Sequence, residues 1–308
     1  MDGSVARPRP MLALGVRLLA AGTLATMAML VKLASNMGVH LAELIFWRQT
    51  LTLIAIIAIL AVGRRLAQVR TNRFGAHFRR SIAGLTGMFF VYGAVTILPL
   101  AEATAISFTT PFFAVMLSVI LFGEKVGKYR WGAVILGFAG VLIITQPGGS
   151  GIVDPIGAGV GLIAAFLVAL ISFQVQDLNT SENPWTIVFW FTLITTPMMG
   201  LILPFVIGPH DAQTWLVIVA MAAAGALGQI LLTTSLRFGS ASVIIVMDYT
   251  SLLWATIYGA VIFSTAPSNM LWVGAPLIIC AGLLIAWRER KLAQIADRPT
   301  EATSGSDI

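Results

Sequence analysis

A chain of 308 residues that is 58% hydrophobic and only 10% charged cannot cover a soluble surface, and its mean hydropathy of +0.91 points to lipid. The net charge of +6 does not mark a nucleic-acid binder, because the Lys and Arg residues lie mostly in short connections and tails between apolar runs. The single cysteine, Cys280 in an apolar run, excludes an internal disulfide and a cysteine metal cage, and reads as a small packing residue.

Residues 1–11 form a short basic segment. Ten apolar stretches follow: Leu12–Ala34, Ala42–Val62, Ser81–Leu98, Glu102–Phe122, Arg130–Gln146, Ile156–Gln176, Trp185–Ile207, Thr214–Ser235, Ala241–Phe263 and Leu271–Trp287. Each is close to the ~20 residues that cross a ~30 Å hydrocarbon core at 1.5 Å per residue. Residues 288–308 make a tail that is polar beyond Asp297 and too poor in apolar groups to fold alone. The first stretch is too long for a cleaved signal and reads as a retained span.

Charge orients these spans. Of the 19 basic residues, all but Arg17, Lys32 and Arg48 fall in the termini and in alternate connections, and the opposite connections carry no Lys or Arg. The positive-inside rule then places both termini in the cytoplasm, with the chain in the cytoplasmic (inner) membrane. Arg17 is expected to snorkel to the inner headgroups.

The two halves resemble each other. Trp131-Gly132-Ala133 through Ala139-Gly140-Val141-Leu142-Ile143 matches Val273-Gly274-Ala275 through Ala281-Gly282-Leu283-Leu284-Ile285, and Ala103-Thr104-Ala105-Ile106 matches Ala241-Ser242-Val243-Ile244. The period of about 140 residues spans five crossings, an odd number, so the second half must insert upside down. The expected fold class is an all-α polytopic membrane protein of ten transmembrane helices in two inverted five-helix repeats, residues 12–146 and 156–287. Such an architecture carries substrates near the midplane between the halves.

Leu100-Ala101-Glu102-Ala103-Thr104-Ala105, Thr110-Pro111-Phe112-Phe113, Leu121-Phe122-Gly123-Glu124 and the Trp131-Gly132 to Gly140 stretch, in that order, resemble the drug/metabolite transporter superfamily, EamA-like branch. Phe46-Trp47-Arg48 resembles its aromatic-x-Arg step in the second span. The likeness covers about residues 12 to 287. Asp248-Tyr249 and Phe263-Ser264-Thr265 depart from the pattern in the second half. The resemblance implies a secondary transporter of a small organic metabolite working by alternating access, and the wording of the second and fourth spans is nearest to members taking S-adenosylmethionine or riboflavin. Export of amino acids or drugs by the same fold, and a non-transporting membrane scaffold, are the other readings.

Asp248 stands about seven residues into the ninth span, roughly 10 Å deep. Hydrocarbon disfavours its charged form, so it reads as a proton carrier or as a contact for a cationic group; the bland alternative is a structural carboxylate served by Tyr249, Thr250 and Ser251. Arg48, at similar depth from the opposite face, reads as an anion contact or as a structural tie between spans. Lys32, Glu43 and Glu102 read as interfacial pairs. The resemblance adds Tyr92, Phe112 and Trp254 as aromatic residues of cavity-lining spans; Gln174 and Gln229 are uncharged hydrogen-bonding candidates. Pro111, Pro197, Pro204 and Pro276 mark kinks. Small-residue stripes at Gly157, Gly161, Ala165 and Ala169 and at Ala220, Ala224 and Gly228 suit packing within one chain better than a homodimer.

His40, His77 and His210 are expected in loops, and no metal or nucleotide motif occurs, so no cofactor and no enzymatic activity are expected. The expected partners are a small-molecule metabolite, the lipid bilayer and, through Asp248, a proton.

Overall fold

The computed structural model describes residues 10–64, 66–123, 127–146, 153–235 and 245–296. Among them every regular element is helical. Eight helices are long and apolar enough to cross a membrane. They are Pro10–Asn36, Leu41–Val62, Phe74–Ile97, the pair Leu100–Ser107 and Thr110–Phe122, then Lys128–Thr145, Pro155–Asn179, Pro184–Val206 and Ala212–Ser235. The ninth span is seen as a 3-10 stretch, Ile245–Thr250, running into Ser251–Ile262, and the tenth is Leu271–Ala296. Sequence expectations about residues 147–152 and 236–244 lie outside the described residues.

Local chemistry sets the ends. Asp154 accepts from the amides of Ile156 and Gly157 and is followed by Pro155, so the sixth span starts on a capped, proline-led turn. Asn183 and Pro184 repeat the device at the seventh. The fourth span ends at Gly123, whose φ of 64° is open to glycine at no steric penalty.

The fourth span is broken at Phe108 and Thr109, directly before Pro111. Pro111 cannot donate and crowds the preceding turn, so the helix restarts there. In the repeat alignment its counterpart is the 3-10 stretch Ile245–Thr250 of the ninth span. Both halves therefore depart from α-helix at matching positions among the described residues.

The packing obeys that symmetry. The first span packs on the eighth as the sixth does on the third, the second on the eighth as the seventh on the third, and the first on the ninth as the sixth on the fourth. The second pairs with the seventh, the fourth with the ninth and the fifth with the tenth. Advancing the spans of these pairs by five returns the same pairs, as a two-fold exchange of five-span halves requires.

Glycines permit the closest crossings. A Cβ on Gly140 would lie 2.8 Å from the carbonyl of Gly274, and one on Gly274 would lie 2.5 Å from the carbonyl of Gly140, so the fifth and tenth spans touch backbone to backbone. Gly157 and Gly161 of the sixth span receive Leu98 and Ile106, and Gly228 of the eighth receives Leu24. These stripes are spent inside the chain. The outward faces carry Val62, Leu201, Phe205 and Val261, all highly exposed, as lipid-facing surfaces do. Cys280 is also exposed, so it is not the packing residue expected.

One sequence boundary is corrected. The third span begins at Phe74, not Ser81, which takes His77 and Arg80 out of the connection and into the helix. His77 is fully buried there. The misreading came from Arg73, Arg79 and Arg80, whose charge masked a helix start.

Candidate functional site

Between the first, third, fourth, sixth and ninth spans lies a cavity of about 340 Å³. It sits beside the break in the fourth span and the start of the regular helix in the ninth. Its walls are mostly small: Ala25, Ala28, Ala94, Ala103, Gly161, Ala164, Ala165 and Ala255. Small side chains are what leave the space.

Its polar groups are hydroxyls. Thr104, Ser107 and Thr110 recur every three residues across the break, and Ser251 faces in from the ninth span. Each donates to a backbone carbonyl of its own chain segment: Thr104 to Leu100, Ser107 to Thr104, Thr110 to Ser107 and Ser251 to Asp248, at 2.6 to 2.8 Å. With their protons so engaged, the oxygens keep lone pairs that can accept from a bound molecule. Among the described residues no charged side chain lines this cavity.

None of the eight residues singled out from the sequence lines it. Asp248 is held by Arg17, Nε to Oδ1 and Nη2 to Oδ2 at 2.6 Å each, so Arg17 does not snorkel to the headgroups as expected. Arg17 is seven residues from Leu24 at the cavity wall, about 10 Å along the helix, so the pair lies on the basic side of the cavity. Ser251 connects the two, lining the cavity while bonding the carbonyl of Asp248.

The aromatic candidates pack. Phe112 is fully buried against Gly137, where an added Cβ would collide with its ring. Tyr249 stands edge-on to Phe108, centroids 4.8 Å apart, with its hydroxyl seated over Gly282. Trp254 rests on Gly22 with its Nε1 3.3 Å from where a Cβ would be. Tyr92 is buried and donates to Met27 Sδ at 3.6 Å, one layer behind the cavity wall that Met27 forms.

Gln174 lines a separate recess on the basic side with Arg79 and Asp177. Gln229 lines a small enclosed void with Thr52 and Trp185. Arg48 donates to Gln49 Oε1 at 3.0 Å and to Met88 Sδ at 3.4 Å, behind Met27 and against Gly225.

Both ends of the bundle are tied. On the basic side Arg73 bonds Asp177 at 2.6 Å, and Thr71 and His77 converge on Glu182. On the other side Glu43 meets His210 at 3.0 Å and Glu102 accepts from the amide of Ser268 at 2.9 Å. Lys32 Nζ donates to the carbonyls of Val95, Thr96 and Leu98, closing the end of the third span.

The model of the EamA-like transporter family matches residues 11–146 and 155–287. A riboflavin transporter of Vibrio cholerae serotype O1 is 29% identical over 248 residues, 77% of this chain and 81% of its own length. One from Rhizobium johnstonii is 30% identical over 227 residues, 73% of this chain and 74% of its own. The pseudopaline exporter CntI of Pseudomonas aeruginosa is 27% identical over 274 residues, 87% of this chain and 93% of its own. One solved crystal structure superposes with a TM-score of 0.61 at 21% identity, covering 93% of this chain and 99% of that one, a likeness of fold.

Proposed function

The chain belongs to the EamA-like transporter family, a transporter of small metabolites across a membrane, and from that premise we propose how it works and what it carries. The cargo site is the hydroxyl-lined cavity beside the break in the fourth span and the 3-10 stretch of the ninth. The observation that carries this reading is the position of that cavity: it lies beside the break in the fourth span and the matching 3-10 stretch of the ninth, the region at which inverted repeats hold a midplane site. Its volume is within the ~300–1,000 Å³ of small-molecule sites.

The cargo is a flat, hydroxyl- or amide-bearing metabolite of the riboflavin or S-adenosylmethionine kind. Apolar walls would take the ring, and Thr104, Ser107, Thr110 and Ser251 would accept from polar hydrogens. Relatives that carry riboflavin support the first of these. The membrane is the inner one, with both termini cytoplasmic. Proton coupling resides at Asp248, the membrane carboxylate that Arg17 of the first span holds.

Proteoliposome flux of riboflavin, followed by its own fluorescence, tests the reading, with S-adenosylmethionine in parallel. Saturable flux that is lost when Ala165→Phe fills the cavity is expected. Flux of neither compound, together with no rise in thermal stability on adding either, would sink the substrate class.

A further inference from the structure

Arg80 stacks on the ring of Phe191, 3.8 Å from its centroid, in the interior between the third and seventh spans. Its Nε and Nη1 are buried and meet no acceptor. Arg48 Nε is buried without an acceptor too. Among the described residues neither guanidinium has a carboxylate within ion-pair distance. Instead they repel each other, since the charge of Arg48 acts on Arg80.

Gln49 and Thr195 link the two positions. Arg48 donates to Gln49 Oε1, Gln49 Nε2 donates to Thr195 Oγ1 at 2.5 Å, and Thr195 Oγ1 donates to the carbonyl of Phe191 at 2.6 Å, the residue whose ring Arg80 covers. Ser81 Oγ and Thr196 Oγ1, on the same two spans as Arg80 and Phe191, are buried without partners as well. The cluster therefore gathers spare donors from three spans and two uncompensated positive charges.

Magnitudes argue against a purely structural role. Both arginines are half-buried, and the desolvation of their enclosed, unbonded nitrogens is only partly offset by a cation–π contact, worth about 2 kcal/mol at most. Removing one of two like charges would improve any merely structural arrangement. An anion arriving between them would neutralise the excess and satisfy the spare N–H groups through charge-assisted hydrogen bonds.

We propose that Arg48 and Arg80 form a second subsite, one that receives the anionic group, a carboxylate or a phosphate, of a cargo molecule. The proposal rests on the transport reading above and deepens it to anionic metabolites. Met27 is the partition between this subsite and the cavity: it lines the cavity, and its Sδ and the Arg48 side chain press on the same point above Gly225, 3.0 and 3.1 Å away. An unbranched thioether can swing aside without disturbing the backbone.

The test uses the purified full chain in nanodiscs of neutral phosphatidylcholine, with succinate and inorganic phosphate as probes and succinamide and sodium chloride of equal ionic strength as controls. Succinate or phosphate should raise the melting temperature by several degrees, the controls should not, and Arg48→Gln and Arg80→Gln should each abolish the rise. Because either variant could fail to fold, phenylglyoxal modification of Arg80 is followed by mass spectrometry in the unaltered chain, where the anions should slow it about fivefold or more. Equal modification with charged and neutral probes would overturn the subsite. So would protection that requires phosphatidylglycerol and ignores both soluble anions, which assigns the guanidiniums to a lipid headgroup. Riboflavin flux without any anion protection would remove the subsite and leave transport standing.

Discussion

Arg17 and Asp248 clasp the first span to the ninth through two parallel hydrogen bonds of 2.6 Å. Arg17 is the more enclosed partner, at 11% exposure against 38% for the carboxylate, so water screens the pair from one side. If the clasp holds one end of the cavity shut, either partner's loss should shift the conformational balance by roughly 1–3 kcal/mol, about 5- to 150-fold. Arg17→Gln and Asp248→Asn should then disturb transport alike, and the exchange Arg17→Asp with Asp248→Arg should restore part of it. Failure of the exchange, with both single variants active, would remove the clasp.

The same pair permits a sharper test of proton coupling. Asn keeps the shape of Asp248 but has no exchangeable carboxyl proton, whereas Arg17→Gln leaves the carboxyl group in place. Flux against imposed proton gradients should lose its pH dependence in Asp248→Asn and keep it in Arg17→Gln. Unchanged proton-driven accumulation by the Asn variant would leave Asp248 a clasp and nothing more.

Gly140 and Gly274 make the fifth and tenth spans inseparable from glycine at this crossing. A side chain there meets a carbonyl, not a flexible tip, so the helices must separate. Gly140→Val and Gly274→Val should each lower stability by about 1–3 kcal/mol, seen as a lower melting temperature in detergent. Gly132, which has nothing within reach of an added Cβ, is the control: Gly132→Ala should melt no lower than the parent.

The spans and the repeat were legible because each rests on something one-dimensional: a run of ~20 apolar residues, or a phrase that recurs. Pro111 likewise announced the break at Thr109. Faces were not legible. A buried membrane helix is apolar all round, so nothing along the fourth span marks Phe112 as core and Ser107 as cavity. The aromatic and charged residues drew attention, while the cavity is made by alanine, glycine and hydroxyls; the spacing of Thr104, Ser107 and Thr110 was the available signal. Arg80 was hidden by its neighbours in sequence, since an arginine next to a basic connection reads as part of it.

Topology is tested with reporters. All connections on one side lack Lys and Arg, so a reporter after Ile308 and one between Arg64 and Arg73 should both be cytoplasmic. One between the fifth and sixth spans should be external. An external C-terminal reporter would contradict an even number of crossings.

The cavity and the aromatic packing residues should separate in their kinetics. Ser107→Ala and Thr104→Val each remove one acceptor from the cavity while leaving the backbone carbonyls they served within reach of other donors or water. A hydrogen bond to cargo contributes about 0.5–1.5 kcal/mol, so each variant should raise the KM of transport by roughly 2- to 12-fold with little change in melting temperature. Phe112→Ala should do the reverse. Its ring fills the space over Gly137, and losing it leaves a void that bilayer lipid cannot enter, so the melting temperature should fall while the KM of the folded fraction holds. Flux measured per folded molecule distinguishes the two patterns. A KM raised by Phe112→Ala and untouched by the hydroxyl variants would move the cargo out of this cavity and toward the aromatic layer behind it.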